Sequence, residues 1–141
     1  MDGFEPSVSG SELPDDSLMT DNTLLLRQVH PTFVQNGRVT SQAFRPSPKD
    51  ESHLSVDNGD MITPEAALIK YIAQAEFSSC GVMAVAHLEC STCNLRVIED
   101  GVPYAEHCYL DFATFGRKDS DRIGKKLAAF AHDRGWLFER K

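Results

Sequence analysis

Five polar residues in the first third of the chain have side chains suited to gripping an anion: Arg27, His30, Ser41, Arg45 and Lys49. Guanidinium groups hold phosphate or carboxylate with two parallel hydrogen bonds, lysine adds a point charge, and a serine hydroxyl donates. If the strands carrying them are neighbours, the five form an Arg/His/Lys-lined cleft for a nucleotide-like or other phosphorylated ligand. Ser55 and Asp57 follow on a short strand and bring a hydroxyl and a carboxylate to the same region. The competing reading is plainer. Charged residues at half-exposed hairpin ends are common, and Arg27 can pair with a carboxylate across a sheet.

The second chemical set is Cys80, Cys90, Cys93 and Cys108. The two-residue gap in Cys90-Ser-Thr-Cys93 lets two thiolates share one tetrahedral zinc, but a structural zinc site normally pairs two such doublets, and here there is one. The four cysteines are therefore a weak metal alternative to buried small hydrophobes, and no metal or cofactor is expected. A redox role needs the first cysteine at a helix N-terminus, which the residues around Cys90 do not suggest.

His87, His107 and Asp111 raise the possibility of acid–base catalysis. On one strand His107 and Asp111 stand about 13 Å apart, too far for direct contact. Gly116 to Lys126 carries glycines and lysines, but Leu127 stands where a phosphate-binding loop needs Ser or Thr. No nucleophile elbow and no metal-binding helix motif is present. A complete catalytic set cannot be assembled from these residues.

These side chains need elements to place them. Leu24–His30 reads as a strand stopped by Pro31, and Arg38–Phe44 as a second strand after the Asn36-Gly37 turn. Arg45–Asp50 is a proline-rich loop, and Leu54–Val56 a short strand. Thr63, Pro64 and Glu65 are a cap, a first-turn proline and a favourable dipole charge for a helix over about 64–76. Gly81–Leu88 is apolar on both faces and reads as a central strand covered on both sides. Residues 89–94 read as a loop, Leu95–Ile98 and His107–Phe112 as strands, and Asp119 or Ser120 as the cap of a last helix ending at Gly135. Trp136–Phe138 reads as a closing edge strand that, with Tyr104, Phe112 and Phe115, could meet another protein or a second copy of the chain. The expectation is an α+β fold: a mixed or mainly antiparallel sheet with two amphipathic helices on one face.

Composition narrows the rest. Of the 141 residues, 41% are hydrophobic and 25% charged, the usage of an ordinary globular domain. Residues 1–22 hold six of the 21 acidic residues and no Lys or Arg, so all but one unit of the net charge of −7 resides in that segment. This leaves residues 23–141 as one near-neutral α+β domain behind a disordered acidic tail, with little general attraction for nucleic acid. No run of about 18 apolar residues and no signal-peptide pattern is present, so a cytoplasmic location is expected and a membrane is not. Two functions fit. The first is a small accessory or partner-binding protein acting through protein contacts. The second is a small enzyme or sensor that uses the anion cleft.

Overall fold

Leu25 and Leu26 are consecutive and both buried, at 0% and 2% exposure. Successive side chains in a strand point to opposite faces, so the strand Leu24–Gln28 (β1) must be covered on both sides. The computed structural model, which describes residues 19–47, 52–74 and 77–140, shows how. After β1 come a short hairpin of Val34–Gln35 (β2) and Arg38–Val39 (β3), then the strand His53–Asn58 (β4) and the helix Pro64–Ile72 (α1). Gly81–Ala86 (β5), the helix His87–Thr92 (α2), Arg96–Ile98 (β6) and His107–Asp111 (β7) follow. The helix Arg117–Arg134 (α3) and the edge strand Phe138–Glu139 (β8) complete the order.

Six strands form one sheet in the order β6-β7-β4-β1-β5-β8, with every neighbouring pair antiparallel. The α+β class and the antiparallel sheet agree with the sequence reading. The placement of both helices on one face does not. Ala67 and Leu68 of α1 pack with Leu26, Val82 and Ala84. Ile123, Leu127, Ala128 and Ala131 of α3 pack on the other face with Leu25, Met83, Val85, Leu54, Val56 and Leu110. The reason lies in β5, where all six residues are buried. A strand apolar on both faces needs a helix on each.

Three local readings also change. Ser41–Phe44 is a 3-10 helix rather than a strand, because Ala43 and Phe44 are drawn together into the α3-side core. Residues 87–92 form α2 rather than a loop. The Glu89 side chain accepts from the Ala86 N–H at 2.7 Å, and Arg134 holds that carboxylate from α3. α3 starts at Arg117 behind Gly116, two residues before the expected cap. At α1 the expectation holds, since Thr63 Oγ1 accepts from the Ala66 N–H at 3.2 Å.

Residues 1–18, most of the expected acidic tail, lie outside the described residues. Thr20–Thr23 form a turn fastened to the body: Thr23 Oγ1 donates to Asp60 at 2.6 Å, and the Leu88 N–H donates to the Asp21 carbonyl at 3.0 Å. No described helix is long and apolar enough to cross a membrane.

Candidate functional site

Along β4, Leu54 and Val56 enter the α3-side core, so His53, Ser55 and Asp57 are turned to the opposite face. β7 repeats the pattern: Cys108 and Leu110 are buried, and His107 and Tyr109 share the face of their β4 partners. The register sets Asp57 opposite His107 and Ser55 opposite Tyr109. α1 has only nine residues and packs on β1 and β5. It leaves the polar face of β4 and β7 open beside it.

The result is a cavity of about 640 Å³ between α1 and the sheet, within the size range of small-molecule sites. Gln28, Ser55, Asp57 and His107 contribute from the sheet, and Lys70, Tyr71 and Gln74 from α1. Pro103 and Tyr104 from the β6–β7 loop close one end, and His30, Thr32 and Phe33 line the other.

One carboxyl in it is tuned, and one imidazole beside it is oriented. Burial pushes the Asp57 carboxyl up from 3.8 to about 6, against the opposing pull of His107. That brings it near the pH at which a carboxylic acid both gives and takes a proton. His107 Nδ1 lies 2.7 Å from Oδ1 of Asp100. A carboxylate only accepts, so Nδ1 carries the ring proton and the Nε2 lone pair is left as the proton acceptor. Asp57 is thus the cross-strand partner of an imidazole whose ring Asp100 orients. Nearby, Lys70 Nζ donates to Glu106 at 2.5 Å and sits 4.1 Å from the centre of the Tyr104 ring. The Lys70 ammonium holds the Glu106 carboxyl below the ordinary carboxylate range.

The expected anion set is only partly gathered into the cleft. Arg27 and His30 line the cleft. Arg27 Nε donates to the Ala43 carbonyl at 2.7 Å and its guanidinium also to the Ser55 carbonyl at 3.0 Å. His30 Nδ1 accepts from the Thr32 N–H at 3.1 Å, capping the 3-10 helix Pro31–Phe33. Ser41 lies on the other side of the molecule, in a shallower hollow of about 330 Å³ with Arg38, Lys125 and His132. Arg45 is paired with Asp121 of α3. Lys49 falls outside the described residues. The separation follows from the 3-10 helix at Ser41–Phe44, which carries Ser41 and Arg45 over to α3.

Cys90, Cys93 and Cys108 are buried in the α3-side core, with Cys80 packed at its margin. Burial pushes the Cys90 and Cys108 thiols up to about 12. All four are free thiols, and no three His, Cys, Asp or Glu side chains among the described residues converge to hold a metal ion.

Sequence reasoning named Asp57 and His107 but did not join them, it read Tyr104 as a partner-facing aromatic, and it passed over Gln28, Lys70 and Tyr71 as site residues. For Gln28 a signal existed: it continues the Leu24, Leu26 face of β1, an amide in an apolar stripe. It is 8% exposed, and neither amide atom has a hydrogen-bond partner. Comparison of the chain with protein-family models, with curated proteins and with solved structures finds no match.

Proposed function

We propose that the chain is a small enzyme that takes a nucleotide-like, phosphorylated ligand into the cleft beside α1 and performs an acid–base step on it through Asp57 and His107. The supporting observation is the cross-strand pairing of a carboxyl titrating at about 6 with an imidazole whose Nδ1 is held by Asp100. In the protonated state Asp57 serves as the acid, and His107 Nε2 serves as the base. Lys70 lines the same space and brings an ammonium toward a phosphate, with Arg27, His30 and His53 also along its wall. The four free thiols fit a reducing compartment, and the cytoplasm is the proposed location.

Thermal shift against a panel of nucleotides and simple phosphates tests this reading. At least one compound at millimolar concentration is expected to raise the midpoint of the wild type, and a Lys70→Met variant is expected to respond less. A ligand at 100 times its dissociation constant stabilises by about 2.7 kcal/mol. Arg45→Ala, on the other face, is expected to respond like wild type. A panel that shifts nothing, or shifts all three proteins alike, would overturn the cleft assignment.

A partner-binding role, or self-association through the C-terminal edge, is the second reading. It draws support from the position of β8 at the sheet edge and from the exposed side chains of Ile69 and Leu88. We rank it lower because β8 spans two residues, a short template for strand addition, and because this role leaves the tuned carboxyl and the oriented imidazole without a use.

A further inference from the structure

Beyond α1 the Gln74 N–H donates to the Tyr71 carbonyl, and the Phe77 N–H donates to the Gln74 carbonyl, which keeps Phe77 beside the end of the helix. Its ring stacks on that of Tyr71, with centroids 4.9 Å apart and planes 19° from parallel. Both rings line the cleft, and neither is packed into either of the two hydrophobic cores of the described residues. Phe77 stays 46% exposed. Apolar ring surface left in water costs free energy that a place in a core would recover. We propose that Phe77, backed by Tyr71, is the platform on which a nucleobase stacks, so that the cleft takes a nucleotide rather than a bare sugar phosphate. This rests on the cleft being the ligand site of the proposed function and adds the class of its substrate.

Four aromatic side chains line this cavity, and they differ in what they have left to offer. Phe33 packs against the α3-side core. The Tyr104 ring is taken by the Lys70 ammonium, 4.1 Å from its centre. Tyr71 covers one face of Phe77, and the exposed remainder of the Phe77 ring is open to a third ring in the same stack. Every base has a flat π face, so stacking recognises a base without choosing among the four, whereas a puckered sugar has none. Lys70 precedes Tyr71 in α1 and lines the same cavity, so one small ligand can meet both the ring pair and the ammonium.

The test is calorimetric titration of AMP and of ribose 5-phosphate into the full chain, as wild type, Phe77→Leu and Phe77→Trp. Wild type is expected to bind AMP about tenfold or more tighter than ribose 5-phosphate, the effect of one base–ring stack. Phe77→Leu is expected to lose that preference by weakening AMP alone, and Phe77→Trp is expected to keep it. All three proteins are expected to melt at similar temperatures without ligand, because the ring lies outside both cores. An AMP preference retained in Phe77→Leu overturns the assignment. A loss in Phe77→Leu that falls equally on both compounds overturns it too, since the ring would then shape the cleft without touching the base. Equal binding of the two compounds to wild type overturns it while leaving the cleft as a phosphate site. Absence of binding by either compound to wild type overturns both readings.

Discussion

His107 stands directly across from Asp57 in the β4–β7 ladder, and its Nδ1 lies 2.7 Å from Asp100. Directly opposed residues of an antiparallel pair have Cβ atoms only about 4.5–5.5 Å apart, so the charges of carboxyl and imidazole are felt by each other. His107 pulls the Asp57 carboxyl down, yet burial outweighs that pull and leaves it at about 6. Desolvation wins because the cleft wall excludes water from one side of the carboxyl.

The first prediction concerns pH. The unfolded chain releases the Asp57 proton near 3.8 and the folded chain near 6. Between those values the folded state holds more protons, so stability falls as pH rises through this window and levels off above it. Asp57→Asn is expected to flatten that slope and to raise stability at pH 7.5. The gain is on the order of 1–2 kcal/mol after discounting for water at the cleft mouth. Denaturant midpoints of both proteins at pH 4.5 and 7.5 would check it. A slope unchanged in the variant would place the titration elsewhere.

The hydrogen bond that His107 Nδ1 donates to Asp100 fixes a tautomer. Ring nitrogen shifts of His107 measured by NMR are expected to show the proton on Nδ1 in the neutral ring. In Asp100→Asn the amide can donate instead, and the proportion of the Nε2–H form is expected to grow. Identical nitrogen shifts in the two proteins would mean that Asp100 does not orient the ring.

Lys70 and Glu106 make a partly buried pair across the cleft mouth. Removing the ammonium alone, in Lys70→Met, leaves the buried Glu106 carboxylate without its donor. A loss of about 1–3 kcal/mol is expected. In wild type the lowered Glu106 pKa contributes stability that is present above about pH 4.5 and lost as pH falls, and in Lys70→Met that acid-side loss is expected to shrink. The double variant Lys70→Met/Glu106→Gln is expected to recover most of the loss, as read from urea unfolding. A double variant no better than the single one would show that the pair contributes nothing.

The two cores on opposite faces of the sheet give a fourth prediction. Leu68→Ala on α1 and Leu127→Ala on α3 each remove a side chain buried to 3% exposure or less. Each is expected to cost about 2–5 kcal/mol. Because the sheet separates them, the costs should add within about 0.5 kcal/mol. A large non-additive term would mean that the helices share one core.

Much of this was legible before any coordinates. The Thr63-Pro64-Glu65 start of α1 could be read from residue types, because a helix start is satisfied by groups within three residues of it. The double-sided burial of β5 could be read from its unbroken apolar run, yet the two helices were still expected on one face of the sheet, which the structure corrects. At Arg38–Phe44 the local pattern was misleading, since residues that suit a pleated surface were pulled into a 3-10 turn by Phe44 entering the core beneath α3. The same happened at residues 87–92, where Arg134, far along the chain, secures the Glu89 carboxylate at the start of α2.

By itself, the order of residues determined the α+β class, the strands and helices with local start and stop signals, and the face on which each strand side chain lies. Those are matters of a period of two or of 3.6, and of caps a few residues away. Only the tertiary structure decided the register that sets Asp57 opposite His107, the placing of Ser41 and Arg45 outside the cleft that His30 lines, and the cleft that α1 leaves uncovered. Each depends on how far one strand slides along another and on which side a connection crosses the sheet. Those choices are settled by burying the whole apolar surface at once, and no short stretch of the chain contains them.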